Sequence, residues 1–523
     1  MGHRPVIYAG GVYVPPAVTE AIKSEDKLST ETTMRWHKKF KVLRCYILIL
    51  GWLGIILLFL SYWRVETDPS HPPAPLKVTG GGMPAPSLLQ QEKPRAKKLR
   101  HLCNPPDRIQ RNQEGVLPSQ YQLSGVMILL RHGDRGPLVH VRNLSSINCG
   151  HHSYGTPTYK KYVGDILNVS RTNTYVNFVG PFVRFPLLPL PSRCGLGHLT
   201  PQGVLQHLQL GKVLKQVYLT EFNLLSNHWE LDDIIVYCTK YRRTFQSVLA
   251  FLYSFIPDFD ISKVRLQEGR GVSFCGDDCH CEQSDRYDQK YEQERRDYRR
   301  SHPGIVDLVH RVNPLVREGE DITSPLVMRD ALLSYVCHGA PLPCLGGRCV
   351  RVEDVTGLVS YEEWEGRQKR TSAQRKAAKL RVYGLMKSIS SSLNDMMRED
   401  RPRVVVYSGH DRTLKYLLDT LGIPNYQLPH YASRLVLELY QNTTATHNPG
   451  YQAAYYFRLV YNGKDITKFI PFCESVTIRQ LKSGSVKRGA ISLCAVEKLL
   501  GYLRPELYFK EFNAASFREA CQK

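Results

Sequence analysis

GVMILLRHGDR, residues 125–135, is the stretch that decides the fold. Its first six residues form an almost unbroken apolar run, the signature of a strand buried on both faces of a parallel sheet. It then turns abruptly polar: Arg131, His132, Gly133, Asp134, Arg135. In open α/β sheets ligands collect beyond the carboxyl ends of strands, so this turn is the first candidate site. Two other runs repeat the arrangement. IIVYC (234–238) leads to Arg242, Arg243 and Thr244 and the helical pattern TFQSVLAFLYSF (244–255). RVVVYS (403–408) leads to Gly409, His410 and Asp411 and the helical pattern TLKYLLDTLG (413–422). A long helical pattern, LTPQGVLQHLQLGKVLKQVYL (199–219), follows the first strand. Strands alternating with helices predict an α/β fold, a doubly wound mixed, mostly parallel sheet flanked by helices. RLVLELY (434–440) and YYFRLVY (455–461) read as a hairpin at the sheet edge. The charged, helix-prone segment from about 265 to 395 reads as a helical cap inserted into this core.

The polar turns share one chemistry. Guanidinium groups grip phosphate oxygens through paired, charge-assisted hydrogen bonds. A histidine among arginines is pushed towards the neutral form, because nearby positive charge disfavours the imidazolium. A neutral imidazole at His132 is a nucleophile for phosphorus. Asp411 is placed to protonate a leaving oxygen, and His410 to donate a hydrogen bond to the phosphate. Arg242 and Arg243 open a helix whose N-terminus favours anions, and one of the two closes the clamp with Arg131 and Arg135. The residues alone leave that choice open. Gly133 lets the backbone bend towards a ligand. Arginines supply the charge that a metal ion supplies elsewhere, so the pattern calls for no metal and no cofactor. His207 reads as a packing or hydrogen-bonding residue.

The remainder of the chain sets the location. Hydrophobic residues make up 42% and charged residues 23%, as in ordinary globular proteins, but the formal net charge is +22. Such a charge attracts anions without choosing among them. Residues 45–63, CYILILGWLGIILLFLSYW, contain no charge and are long enough to cross a hydrocarbon core of about 30 Å. Lys38, Lys39, Lys41 and Arg44 precede the run, which predicts a cytoplasmic tail over 1–44 and a lumenal body. About 44 residues lie ahead of the run, so a signal anchor fits better than a cleaved signal peptide. Residues 64–100, with seven prolines and Gly80, Gly81 and Gly82, read as an extended stem. The body is then 101–523.

Of fourteen cysteines, Cys45 falls in the anchor and Cys238 in an apolar strand, where it reads as a buried free thiol. The other twelve form an even set suited to disulfides in an oxidising lumen, with connectivity open. Cys275, Cys279 and Cys281 with His280 are the alternative zinc cluster. Asn143, Asn168 and Asn442 head glycosylation sequons. A lumenal body excludes nucleic acid as the partner of the basic runs.

RHGDRGP (131–137), LTPQGVLQHLQLG (199–211), the Arg243-Thr244 helix start and the distant Gly409-His410-Asp411 occur in this order. Together they resemble the histidine acid phosphatases over most of residues 121–480. The resemblance implies a doubly wound core with a helical cap, His132 as the residue that becomes phosphohistidine, Arg131, Arg135, Arg243 and His410 as the phosphate pocket, and Asp411 as proton donor. Arg412 and His198 depart from the family pattern, and Arg412 adds a cation beside the pair His410-Asp411. The anchor, the charged cap, the C-x3-C-x-C pattern at 275–281, FLYSFIPDFD (251–260) and LVYNGKDIT (459–467) are similar to Golgi members of the family. That likeness implies phosphorylated xylose of the proteoglycan linker tetrasaccharide as substrate and association with linker glycosyltransferases. A broad acid phosphatase of the secretory pathway and an inactive proteoglycan-binding relative are the alternatives.

Overall fold

The computed structural model describes residues 99–522 apart from 117–119, 151–154, 191–193, 226–227, 277–278, 369, 400, 425–428, 444–453, 474–475 and 480–489. The expected tail, anchor and most of the stem lie outside these residues. No helix among the described residues is long and apolar enough to cross a membrane.

The strands, in chain order, are β1 (Tyr121–Arg131), β2 (Ile234–Thr239), β3 (Val264–Gly269), β4 (Cys344–Leu345), β5 (Arg348–Cys349), β6 (Val404–Gly409), β7 (Arg434–Asn442), β8 (Tyr455–Tyr461), β9 (Lys464–Asp465), β10 (Val476–Arg479) and β11 (Ala490–Ala495). All but β4 and β5 join one sheet in the order β10-β11-β8-β7-β1-β6-β2-β3, with β9 beside β8. The sheet is mixed. β1, β6, β2 and β3 run parallel, and β7, β8 and β11 continue it in antiparallel pairings. The expected hairpin β7–β8 forms, but inside the sheet, because β11 and β10 add beyond β8. Strand β3 and these two outer strands lack a long apolar run and left little signal in the sequence.

The continuous apolar strands are explained by cover on both faces. Val126, Ile128 and Leu130 of β1, with Val404 and Val406 of β6, pack on one side against helices Pro201–Leu214 and Arg242–Phe255. Met127 and Leu129, with Val405 and Tyr407, pack on the other against Ser372–Arg398, Asp411–Thr420 and Val496–Tyr502. Alternate side chains point to opposite faces, so both helical layers draw on each strand. Ser372–Arg398 was expected in the cap of about 265–395. It lies instead on the sheet, because Val382, Leu385, Met386, Ile389 and Leu393 make a core-facing stripe. The helices Pro303–Val316, Pro325–Cys337 and Val352–Arg367 form a separate cluster around Val312, Met328, Leu332 and Val355.

All twelve body cysteines outside Cys238 are paired: Cys103–Cys337, Cys149–Cys194, Cys275–Cys279, Cys281–Cys521, Cys344–Cys349 and Cys473–Cys494. Cys238 is free and buried. Bonding of Cys275, Cys279 and Cys281 removes the thiolates a zinc cluster needs. The same holds for Cys149 and Cys194, which lie near His338. Asn143 and Asn168 are exposed. Asn442 is only 1% exposed at the end of β7, where its amide has no room for a glycan.

Candidate active site

Parallel pairing builds the site. Arg131 of β1 stands opposite Gly409 of β6, and Ser408 of β6 opposite Cys238 of β2. Three strand ends therefore finish side by side, and the turns after them converge. The backbone N–H of His132 donates to the Gly409 carbonyl at 3.0 Å, and that of Ala432 to the His132 carbonyl at 3.1 Å. Helices Arg242–Phe255 and Asp411–Thr420 both begin here, bringing two positive dipole ends to one place.

His132 is buried, 2% exposed. Its Nδ1 lies 2.8 Å from the carbonyl oxygen of Gly133. A carbonyl has no proton to give, so Nδ1 carries the hydrogen and donates it. Nε2 then keeps its lone pair. Burial, followed by Arg243, Arg131, His410 and Arg135, holds the imidazole well below the usual histidine range and keeps it neutral. The neighbouring His410 ring stands at 5.6 Å and 73° to it.

His410 Nε2 is 3.0 Å from Thr239 Oγ1 at the end of β2. Sequence reasoning gave His410 a hydrogen bond to phosphate; this nitrogen is engaged with the protein. Burial, then Arg243, brings its pKa down to about 3.

The three arginines are held differently. Arg131 pairs with Asp411 at 2.9 Å and packs over the Tyr431 ring at 4.5 Å. Arg135 makes a two-toothed bridge to Asp330, at 3.0 and 3.1 Å. Arg243 has no carboxylate or hydrogen-bond partner among the described residues, and its guanidinium lies over the Tyr241 ring at 4.7 Å. Burial, then the like charge of Arg135, pulls the Arg243 pKa down to about 10. The Nε atoms of all three are buried without a hydrogen-bond partner among the described residues. Buried donors in this state are costly unless a ligand uses them. Arg242, the alternative from sequence, is exposed.

Burial would raise the pKa of Asp411, but Arg131, Arg135 and the Arg412 backbone N–H outweigh it and bring it to about 2. Arg412 acts through that N–H, 2.7 Å from Asp411 Oδ1. Its side chain is exposed and exerts its charge on Asp288 and Tyr416. The expected extra pocket cation is therefore absent: the first turn of the helix carries the Arg412 side chain away from Asp411.

The glycines have a different task from the one expected. A Cβ on Gly133 would sit 2.4 Å from the Gly203 carbonyl oxygen, and one on Gly203 would sit 2.4 Å from that of Asp134. Gly133 serves close docking of the helix Pro201–Leu214 under the turn. That helix adds Gln206, accepting from the Asp134 N–H at 2.7 Å, and Thr200, donating to Asp134 Oδ2 at 2.6 Å. His207, as expected, is structural: Nε2 donates to the Arg131 carbonyl at 3.2 Å.

Sequence reasoning missed Asp330 and His338. Both belong to the helix Pro325–Cys337 and its C-cap: Asp330 pairs with Arg135, and His338 Nε2 lies 2.9 Å from Asp134 Oδ2, close but without hydrogen-bond geometry. Cys337 between them bonds Cys103, whose carbonyl accepts from Gln206. Cys337→Ser is expected to lower stability by about 2–5 kcal/mol and to raise KM for phosphate esters, because Asp330 and His338 lose their tether. An unchanged melting temperature and KM would refute this.

The buried histidines make stability pH-dependent. Burial lowers His207 and His410 to about 3 and His430 to about 4. The unfolded chain takes up these protons near pH 6.5 and the folded chain does not. Stability is complete above about pH 6.5 and is lost as pH falls towards the folded values, by at most about 1.4 kcal/mol per pH unit for each histidine. Thermal melts are expected to show a falling Tm from pH 6.5 to 4.5, and a flat Tm across that window would contradict it.

Fold and site together define an α/β enzyme of the phosphatase class. The chain matches the histidine phosphatase superfamily (branch 2) over residues 122–462 and belongs to that family. A Homo sapiens protein named 2-phosphoxylose phosphatase 1 is 28% identical over 437 residues, spanning 80% of this chain and 85% of its own. The lysosomal acid phosphatase of Bos taurus is 28% identical over 293 residues, spanning 50% of this chain and 63% of its own. Among solved structures, apo phytase of Hafnia alvei aligns with a TM-score of 0.41 at 14% identity, spanning 74% of this chain and 97% of that one.

Proposed function

We propose that the protein removes the 2-phosphate from xylose in the glycosaminoglycan–protein linkage region, through a phosphohistidine at His132. One observation carries the reading: a neutral His132 with its Nε2 lone pair kept free stands among three guanidinium groups, and that of Arg243 has no anionic partner among the described residues. Such a cluster binds a phosphate dianion and presents a nucleophile to it.

In the first step Nε2 attacks phosphorus and the bond from phosphorus to the sugar oxygen breaks. Asp411 gives that oxygen its proton. In the free enzyme Asp411 is ionised, drawn down by Arg131. A phosphate dianion on Arg131 weakens that pull, so Asp411 takes up a proton as substrate docks. In the second step water attacks phosphorus, the phosphorus–nitrogen bond breaks, and the Asp411 carboxylate accepts the water's proton. Phosphate leaves and His132 is regenerated.

The substrate reading rests on the relative's name and the sequence likeness. Its test compares kcat/KM on a phosphoxylose linker tetrasaccharide with that on generic phosphate esters. A strong preference for the tetrasaccharide supports it, and equal rates favour a broad acid phosphatase. The proposed site of action is the Golgi lumen, with 45–63 as a type II anchor. The uncharged run, six disulfides and exposed Asn143 and Asn168 support that placement.

A further inference from the structure

Tyr241 links β2 to the helix Arg242–Phe255, and neither motif includes it. Its ring meets the His410 ring at 4.8 Å and 80°, and the Arg243 guanidinium carbon lies 4.7 Å from its centroid. It touches Arg243 of the guanidinium cluster and His410 beside it, yet it is 41% exposed. Leu138, just after RHGDRGP, is 53% exposed. It borders the Gly197 turn together with Arg243: a Cβ at Gly197 would meet Leu138 Cδ2 at 3.5 Å and Arg243 Nη1 at 3.7 Å. Two large side chains with apolar faces thus stay open to solvent beside the Arg243 guanidinium.

A phosphate ester presents two surfaces: a dianion, and the group that carries it. Arg242 and His198 also lie near this border, yet the exposed side chains that flank the Arg243 guanidinium directly are uncharged. Tyrosine and leucine suit a ring with an apolar C–H face and polar edges, which an aromatic side chain holds by burial and oriented contact at low entropic cost. We infer that Tyr241, flanked by Leu138, is the platform on which the sugar ring of the substrate lies once Arg243 holds its phosphate. This rests on the proposed phosphosugar reading. Tyr241 is then a specificity-determining residue, acting on the leaving group and not on phosphorus.

The test measures kcat/KM for the phosphoxylose tetrasaccharide and for glycerol phosphate, which has no ring. Tyr241→Ala is expected to lower the ratio of the two by about tenfold, mainly through KM for the saccharide, and Tyr241→Phe to keep it. Equal losses on both substrates would overturn the inference, because Tyr241 would then only position Arg243 and His410. Competitive inhibition by inorganic phosphate, preserved in Tyr241→Ala, shows that the variant is folded. A wild-type enzyme with no preference for the saccharide sinks the substrate reading. A preference that survives Tyr241→Ala sinks the platform alone.

Discussion

His132→Ala abolishes phosphate release, by at least about 10⁴-fold in kcat, the scale of losing a nucleophile for which no other group substitutes. The two neighbouring histidines illustrate why no substitute exists. Nε2 of His410 is tied to Thr239, and His207 is committed to the Arg131 carbonyl beneath the turn. Wild-type enzyme exposed briefly to a radioactive phosphate ester is expected to carry label that is stable to base and labile to acid, as a phosphoramidate bond is. Asp411→Asn should retain that label longer and slow the departure of poor leaving groups more than that of good ones, since the amide neither donates nor accepts the proton. Full activity in His132→Ala would sink the mechanism.

Arg243→Ala lowers kcat/KM by about 10²–10³-fold, the scale of removing one preorganised charge from a transition state, whereas Arg242→Ala stays within about threefold. The contrast follows from how the charges are paired. Arg131 faces Asp411 and Arg135 faces Asp330, so the net attraction for an incoming dianion comes chiefly from Arg243. Arg243 is also the largest charge acting against protonation of both His132 and His410. Its removal therefore raises the pKa of both. The acid limb of the kcat/KM profile should move to higher pH in Arg243→Ala, as more of His132 is protonated and lost as nucleophile. A profile unmoved by the substitution, or an equal loss in Arg242→Ala, would contradict this assignment.

Much of this site was legible in the chain because strand ends carry chemistry in α/β folds. GVMILL, IIVYC and RVVVYS are apolar enough to require cover on both faces, and the polar residues just beyond them had one place to go. The even set of twelve cysteines and the lone Cys238 were legible too, from the contrast between turn-rich and strand contexts. Other features were not. Arg242 and Arg243 differ by one position, and only the helical phase of Arg242–Phe255 exposes the first and half-buries the second. Gly133 looked like a ligand-binding turn, and its contact with Gly203 depends on how closely a helix some seventy residues away docks.

By itself the sequence singled out the candidate nucleophile, arginines and acid, because each residue type is restricted by its chemistry and each follows a recognisable strand. Tertiary structure alone decided their states. Asp330 and His338 lie about two hundred residues beyond the turn they meet, and no local pattern announces a contact made by chain return. The neutrality of His132, the ionisation of Asp411 and the charge of Arg243, unpaired among the described residues, come from burial and from which carboxylate reaches which guanidinium. Those are energies of the folded state, summed over distances that exist only once β1, β6 and β2 lie side by side.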